Sequence, residues 1–280
     1  MTDIVLAHDG SSHCGWVGRY AVHIATHTKG RLWLLHVDEV DDDRDRLDEG
    51  VEHLLQVAAR ANVEAERVHV PKGRDVSASI TAFMGQHPNA LLVLGLRARE
   101  DGRGLLSGTV SESLLHHAPH DVLAIRVTSP GQLGDAKHVL YALSQNPDSA
   151  RKGREFLRML APERVSLLTV VQPILGRLAS PTGEDLRDLH AVGTSFLAGV
   201  QTQLRQSLGD TPIDATVRVA ADWTGEVLRH AGRVDPQLLL LGATERSLPR
   251  RIVFGNPLER VLHDATCDVA VFRLGHGQPR

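Results

Sequence analysis

The feature that most constrains this chain is an internal repeat. Two apolar runs, ALLVLG ending at Gly95 and LLLLG ending at Gly242, lie 147 positions apart. Uninterrupted apolar runs closed by glycine read as strands buried on both faces of a parallel sheet. Thirteen residues beyond each comes a second glycine, Gly108 in LLSGTVSESLL and Gly255 in IVFGNPLERVL, and each opens a stretch with helical apolar spacing. The closing runs HDVLAIRV, from His120, and CDVAVFRL, from Cys267, keep the same offset. Upstream, RLWLLHV from Arg31 answers RVSLLTV from Arg164, and DIVLAHD at the amino end answers HVLYALS from His138. Matching pieces in the same order imply a tandem duplication. A length of 280 residues suits two domains. The seam falls in TSPGQLGDAK, rich in Gly, Pro and polar residues, which gives domains over 1–128 and 137–280.

Within each copy, strand runs alternate with longer segments suited to helices. The first copy's strands are expected at 3–8, 31–37, 66–71, 90–95 and 121–127, and the second copy's at 138–143, 164–171, 214–220, 237–242 and 268–274. The assembly this pattern predicts is α/β: two similar doubly wound domains, each with a five-stranded, mainly parallel sheet flanked by helices and built from right-handed crossovers. The acidic run after the second strand reads as a solvated loop or helix start, and Gln172–Leu186 as a variable excursion or part of a lid.

Composition removes several functions. A formal net charge of -3 gives no global attraction for nucleic acid or an anionic membrane. Aromatic residues at 4% do not supply a stacking platform for single strands. No run approaches the roughly 18 apolar residues of a membrane span, and the start MTDIVLAHDG has no leader pattern, so a cytoplasmic location is expected. Cys14 and Cys267 stand far apart and outside any metal-ligand spacing.

In an open α/β sheet, ligands gather beyond the carboxyl ends of the strands. That criterion selects Asp9, Gly10 and Ser11 after strand one, Val37 at the end of strand two, and Gly95 and Arg97 after strand four. Asp9 can accept hydrogen bonds from a base or a ribose, or take part in capping the first helix through DGSS. Val37 offers an apolar wall or is a core residue. The stretch GLRAREDGRGLLSGTVS is the phosphate-site candidate: Gly108 opens a helix whose N–H groups and dipole favour an anion, Thr109 and Ser111 add hydroxyls, and Arg97, Arg99 and Arg103 carry positive charge. The alternative is a capped helix with arginines in solvent. Neither a Walker A loop nor a dinucleotide-binding glycine pattern is present.

These residues resemble the universal stress protein family in tandem two-domain form. The resemblance rests on IVLAHDGSS, LLHV, the Gly95–Ser111 stretch and DVLAIRV in copy one, and on LLLLGATERSLPRRIVFGNPLERVL and CDVAVFRL in copy two. It implies a stress-response role and pairing of domains through their last strands. The family's nucleotide-binding branch carries an aspartate after strand one, matched by Asp9, and an apolar residue after strand two, matched by Val37. Its G-x2-G-x9-G-[ST] cradle is matched by Gly95, Gly108 and Thr109, with Val110 and Ser111 following, whereas Ala98 replaces the second glycine. The implied ligand is ATP or a related adenine nucleotide, with or without Mg²⁺. Copy two departs further, with Ser144 for the aspartate, Gln145-Asn146 for Gly-Ser, Glu245 for the second glycine and Asn256 for Ser or Thr, and so reads as degenerate.

Three function classes follow: a stress protein regulated by nucleotide bound in the first domain, a nucleotide-free scaffold or interaction module, and a slow ATPase. Expected partners are the nucleotide, the internal domain pair, a second copy of the chain and an unidentified protein. Metal chemistry is weakly supported, since only His23 and His27, four apart among 16 histidines, share a helical face well. A Cys14 nucleophile lacks an orienting carboxylate.

Overall fold

The computed structural model describes residues 1–39, 43–96, 109–173, 182–243 and 257–275. In the first repeat the elements are β1 (Ile4–Ala7), α1 (Ser12–Thr28), β2 (Leu32–Asp38), α2 (Arg44–Arg60), β3 (Ala65–Pro71), α3 (Val76–Gly85), β4 (Leu91–Gly95), α4 (Val110–His117) and β5 (Val122–Arg126). The second repeat follows with β6 (His138–Leu143), α5 (Pro147–Leu160), β7 (Arg164–Val171), α6 (Gly183–Leu208), β8 (Ile213–Val219), α7 (Trp223–Val234), β9 (Leu238–Gly242), α8 (Pro257–Asp264) and β10 (Asp268–Arg273). All ten strands lie where the sequence pattern places them, with ends shifted by at most one residue.

The chain divides into two compact units. Among the described residues, one comprises those of 1–135 with 243 and 270–275, and the other those of 136–242 with 257–269. In the first, the strand order is β3-β2-β1-β4-β5. β1 runs parallel to β2 and β4, with Ile4 opposite Leu32 and Leu91, and β4 runs parallel to β5 with Leu92 opposite Val122. Because strand order reverses between β1 and β4, their carboxyl ends border the crevice typical of doubly wound sheets. α1 packs with α2, and α3 with α4, as expected for helices on both faces. In the second unit the order is β9-β6-β7-β8, again with parallel pairs.

The apolar runs explain the cores. Ile4, Leu6, Leu32, Leu34 and Tyr20 are fully buried in the first unit, and Val139, Tyr141, Phe156 and Leu238 in the second. At roughly 25 cal/mol per Å² of apolar surface, burying each such side chain contributes about 2 kcal/mol. Local signals start the helices. Ser11 caps α1 by accepting from the Cys14 amide, Asp75 caps α3, Thr109 caps α4 and Asp222 caps α7, while Thr182 and Asp185 form a reciprocal capping box at α6. Lys29 ends α1 in the left-handed region, returning its N–H to the Ala25 carbonyl.

Candidate functional site

At the carboxyl end of β1 the chain turns through His8, Asp9 and Gly10 into α1. Gly10 has φ of 74°, in the left-handed region where a side chain would be strained, and a Cβ there would lie 3.2 Å from the Leu47 backbone. The Asp9 carboxylate is exposed, and its Oδ1 accepts from the Ser11 amide at 3.0 Å and the Ser11 hydroxyl at 2.6 Å. Ser11 Oγ in turn accepts from the Cys14 amide at 3.1 Å. The helix cap is therefore Ser11, and Asp9 braces it. The Ser11 hydroxyl is committed to that turn.

Across the crevice, Ser111 Oγ donates to the Gly95 carbonyl at 2.9 Å, which pins the first turn of α4 to the end of β4. Thr109 Oγ1 accepts from the Glu112 amide at 3.0 Å. The opening N–H groups of a helix have no intrahelical acceptor, so Val110 and Ser111 present the positive end of α4 on the β4 side of the crevice. His13 from α1 reaches Gly95 as well: a Cβ on Gly95 would be 3.2 Å from His13 Cδ2. Val37 is buried at 6% exposure, opposite Val70 of β3. Arg97 and Gly108, together with Ala98, Arg99 and Arg103 in copy one and Glu245, Gly255 and Asn256 in copy two, lie outside the described residues.

Two residues that sequence reasoning did not single out shape this corner. His8 is 4% exposed, and its Nδ1 accepts from the Gly10 amide at 3.0 Å. Burial pushes its pKa down to about 4; the Asp9 carboxylate opposes that fall, while His36 and Arg67 add to it. His36 donates from Nδ1 to the His8 carbonyl at 2.8 Å, and its ring meets that of His69, which donates to Asp38 at 3.0 Å. The only sequence signal was a polar ring near the end of each of two otherwise apolar strands.

The equivalent corner of copy two keeps one half of this arrangement. Thr169, at the place of His36, donates to the carbonyl of Leu143, at the place of His8, at 3.2 Å. Leu143 carries no acceptor for a turn, Ser144, Gln145 and Asn146 are exposed, and Gln145 does not adopt the positive φ of Gly10.

The other chemistries considered find little geometry. The rings of His23 and His27 are 4.5 Å apart, but no group of three or more His, Cys, Asp or Glu residues is placed to hold a metal among the described residues. Cys14 is buried and directs its thiol at the Ala7 carbonyl, 3.3 Å away, and burial drives the Cys267 pKa up to about 11. No helix among the described residues is long and apolar enough to cross a membrane. A hollow of about 600 Å³ opens at the opposite, amino-terminal end of the first unit's strands, lined among others by Asp3, Lys29, Arg31, Trp33 and Asn62. It lies away from the strand-order reversal, and the crevice at the carboxyl ends remains the site to which fold and residues both lead.

Comparison with known proteins agrees with this architecture. A universal stress protein from Archaeoglobus fulgidus DSM 4304 superposes with a TM-score of 0.63 at 16% identity, over 99% of this chain and 98% of its own. A functionally unknown protein from Pseudomonas aeruginosa PAO1 gives a TM-score of 0.61 at 14% identity, over 97% and 92%. The cytoplasmic domain of a prokaryotic cation chloride cotransporter gives 0.59 at 12% identity, over 98% and 96%. No curated protein matches the chain. The family model described as the universal stress protein family matches twice, over residues 1–126 and 136–273, one match for each half of the duplication. With nearly all of its length accounted for in this way, the chain belongs to the universal stress protein family.

Proposed function

We propose that the first domain, residues 1–128, binds ATP or a related adenine nucleotide as a regulatory ligand, and that the domain at 137–280 has lost this capacity. The observation that carries the reading is the pairing of two features across the β1/β4 crevice: the exposed Asp9 carboxylate on a left-handed turn, and the α4 amino terminus tied to Gly95 by Ser111. The first suits the hydrogen-bond donors of a base or ribose, the second a phosphate. Gly10, Ser11, Val37, Thr109 and Val110 are assigned to the same site, with Arg97 added for its charge and Gly108 for its match to the family's cradle. The nucleotide is proposed to be held with or without Mg²⁺. At most weak hydrolysis of the bound nucleotide is part of this reading.

Occupancy would act by favouring one conformation or partner surface over another, to the extent that affinity differs between them. The apolar Leu143 and the altered backbone at Gln145 favour a structural or partner-binding role for the second domain. The protein is proposed to work in the cytoplasm with a protein partner.

Calorimetry with ATP, with and without Mg²⁺, on protein stripped of co-purified nucleotide tests the reading against Asp9→Ala and Gly108→Val. Binding near one site per chain, lost in both folded variants, supports it. Absence of both co-purified nucleotide and binding removes it in favour of the scaffold.

A further inference from the structure

The geometry points to His8 as the positioning residue of the first domain's ligand site: its imidazole, held as a neutral acceptor under the Gly10 turn, fixes the direction of the Asp9 carboxylate. This rests on the nucleotide reading above and deepens it. Three observations carry it. The ring is 4% exposed, and Nδ1 accepts the Gly10 N–H at 3.0 Å, which places the ring proton on Nε2. Gly10 stands at φ of 74°, which glycine adopts without steric cost, so its freedom leaves the turn to be fixed by the bonds around it, and Asp9 and Ser11 flank it with their own. The ring occupies space left by Gly50 of α2, where a Cβ would come within 3.2 Å of Cε1.

The ring's own cost shows that it is not simply core filling. Nε2 is buried and has no hydrogen-bond partner among the described residues, an arrangement that is unfavourable by itself. An aliphatic side chain would avoid that cost, and at the equivalent strand exit of copy two Leu143 does so, at 5% exposure. There the left-handed turn and the aspartate are both missing. Imidazole, left-handed glycine and carboxylate thus occur together in one copy and are absent together from the other.

The charged and titratable groups facing the ring are Asp9 on its own segment, His36 from β2 and Arg67 from β3, whereas α2 presents Gly50. With its pKa at about 4, the ring stays neutral throughout the neutral range, and Nδ1 remains free of a proton that would compete with the Gly10 N–H.

The test compares His8→Leu, His8→Asn and His8→Gln in the full chain, because Asn carries an oxygen where Nδ1 lies and Gln reaches instead toward Nε2. Two readouts are taken: hydrogen exchange at the Gly10 amide without ligand, by NMR, and ATP affinity by calorimetry. In His8→Leu the Gly10 amide exchanges faster and ATP affinity falls about tenfold or more, while the fold is kept. His8→Asn restores both, and His8→Gln restores neither. Unchanged Gly10 exchange in His8→Leu, or equal rescue by Asn and Gln, overturns the inference. Wild-type affinity in His8→Leu, with binding lost in Asp9→Ala, also overturns it while leaving the nucleotide reading intact. A wild-type protein that binds no ATP overturns both the nucleotide reading and the ligand-directing part of this inference.

Discussion

Tyr141, wholly buried in β6, lays its phenol ring against the Cα of Gly153 on α5, with no room between them for a side chain. Its hydroxyl is engaged with the Gly153 backbone, and burial raises the phenol's pKa well above its ordinary value. Gly153→Ala would drive a methyl group into the ring, so a loss of about 1–3 kcal/mol is expected from overpacking. Urea unfolding measures this. Adding Tyr141→Leu, which is the residue copy one carries at Leu6, should recover part of the loss; failure to recover any would place the strain elsewhere.

Stability should fall as the solution is acidified from neutrality. The folded-state pKa of His8, about 4, lies below the unfolded value of 6.5, so the unfolded chain takes up the proton first. The contribution is complete above pH 6.5, is lost progressively between 6.5 and 4, and stays constant below that. Its size is about 3 kcal/mol. His27, His120, His138 and His230 are lowered by burial as well and add slope of the same sign. Unfolding midpoints across this range, compared with His8→Asn, isolate the share of His8: the variant should show the shallower decline.

Ser111→Ala removes the donor that ties α4 to Gly95. A cost of about 1 kcal/mol in stability is expected, accompanied by weaker ATP binding as the helix amino terminus loses its anchor. Calorimetry and thermal unfolding of the same preparation check both. Unchanged affinity would show that α4 is held in place by other contacts.

Gly10→Ala tests the turn directly. A side chain at φ of 74° costs about 1–2 kcal/mol, and the new methyl would press on the Leu47 backbone 3.2 Å away. ATP affinity should fall along with stability, because Asp9 is carried on the same turn. A destabilised variant with full affinity would separate the turn from the ligand.

The central strands were legible because each is an apolar run whose burial leaves little choice of structure, whereas β3 and β8 are mixed in sequence and only partly buried. ALLVLG and LLLLG became β4 and β9 with hardly a shift at their ends. The caps were legible only as types of residue: DGSS announced a helix start, yet which of its side chains would cap depended on the left-handed φ of Gly10, and the structure gives the cap to Ser11. His8 and His36 were illegible for a different reason. A histidine at the end of a strand has no period and no partner at fixed spacing, and its meaning arises only when β1 and β2 lie side by side and bring His36 to the His8 carbonyl across 28 positions of sequence.

The bond from the second strand to the last carbonyl of the first is made by His36 in one repeat and by Thr169 in the other. Two unlike side chains thus meet one geometric demand, and that demand survives where the neighbouring aspartate and glycine do not. The shared fold therefore rests on the carbonyl, which a side chain bonds in both repeats, and leaves the turn that follows it open to change. The corner can thus change its turn without changing how its two strands are tied.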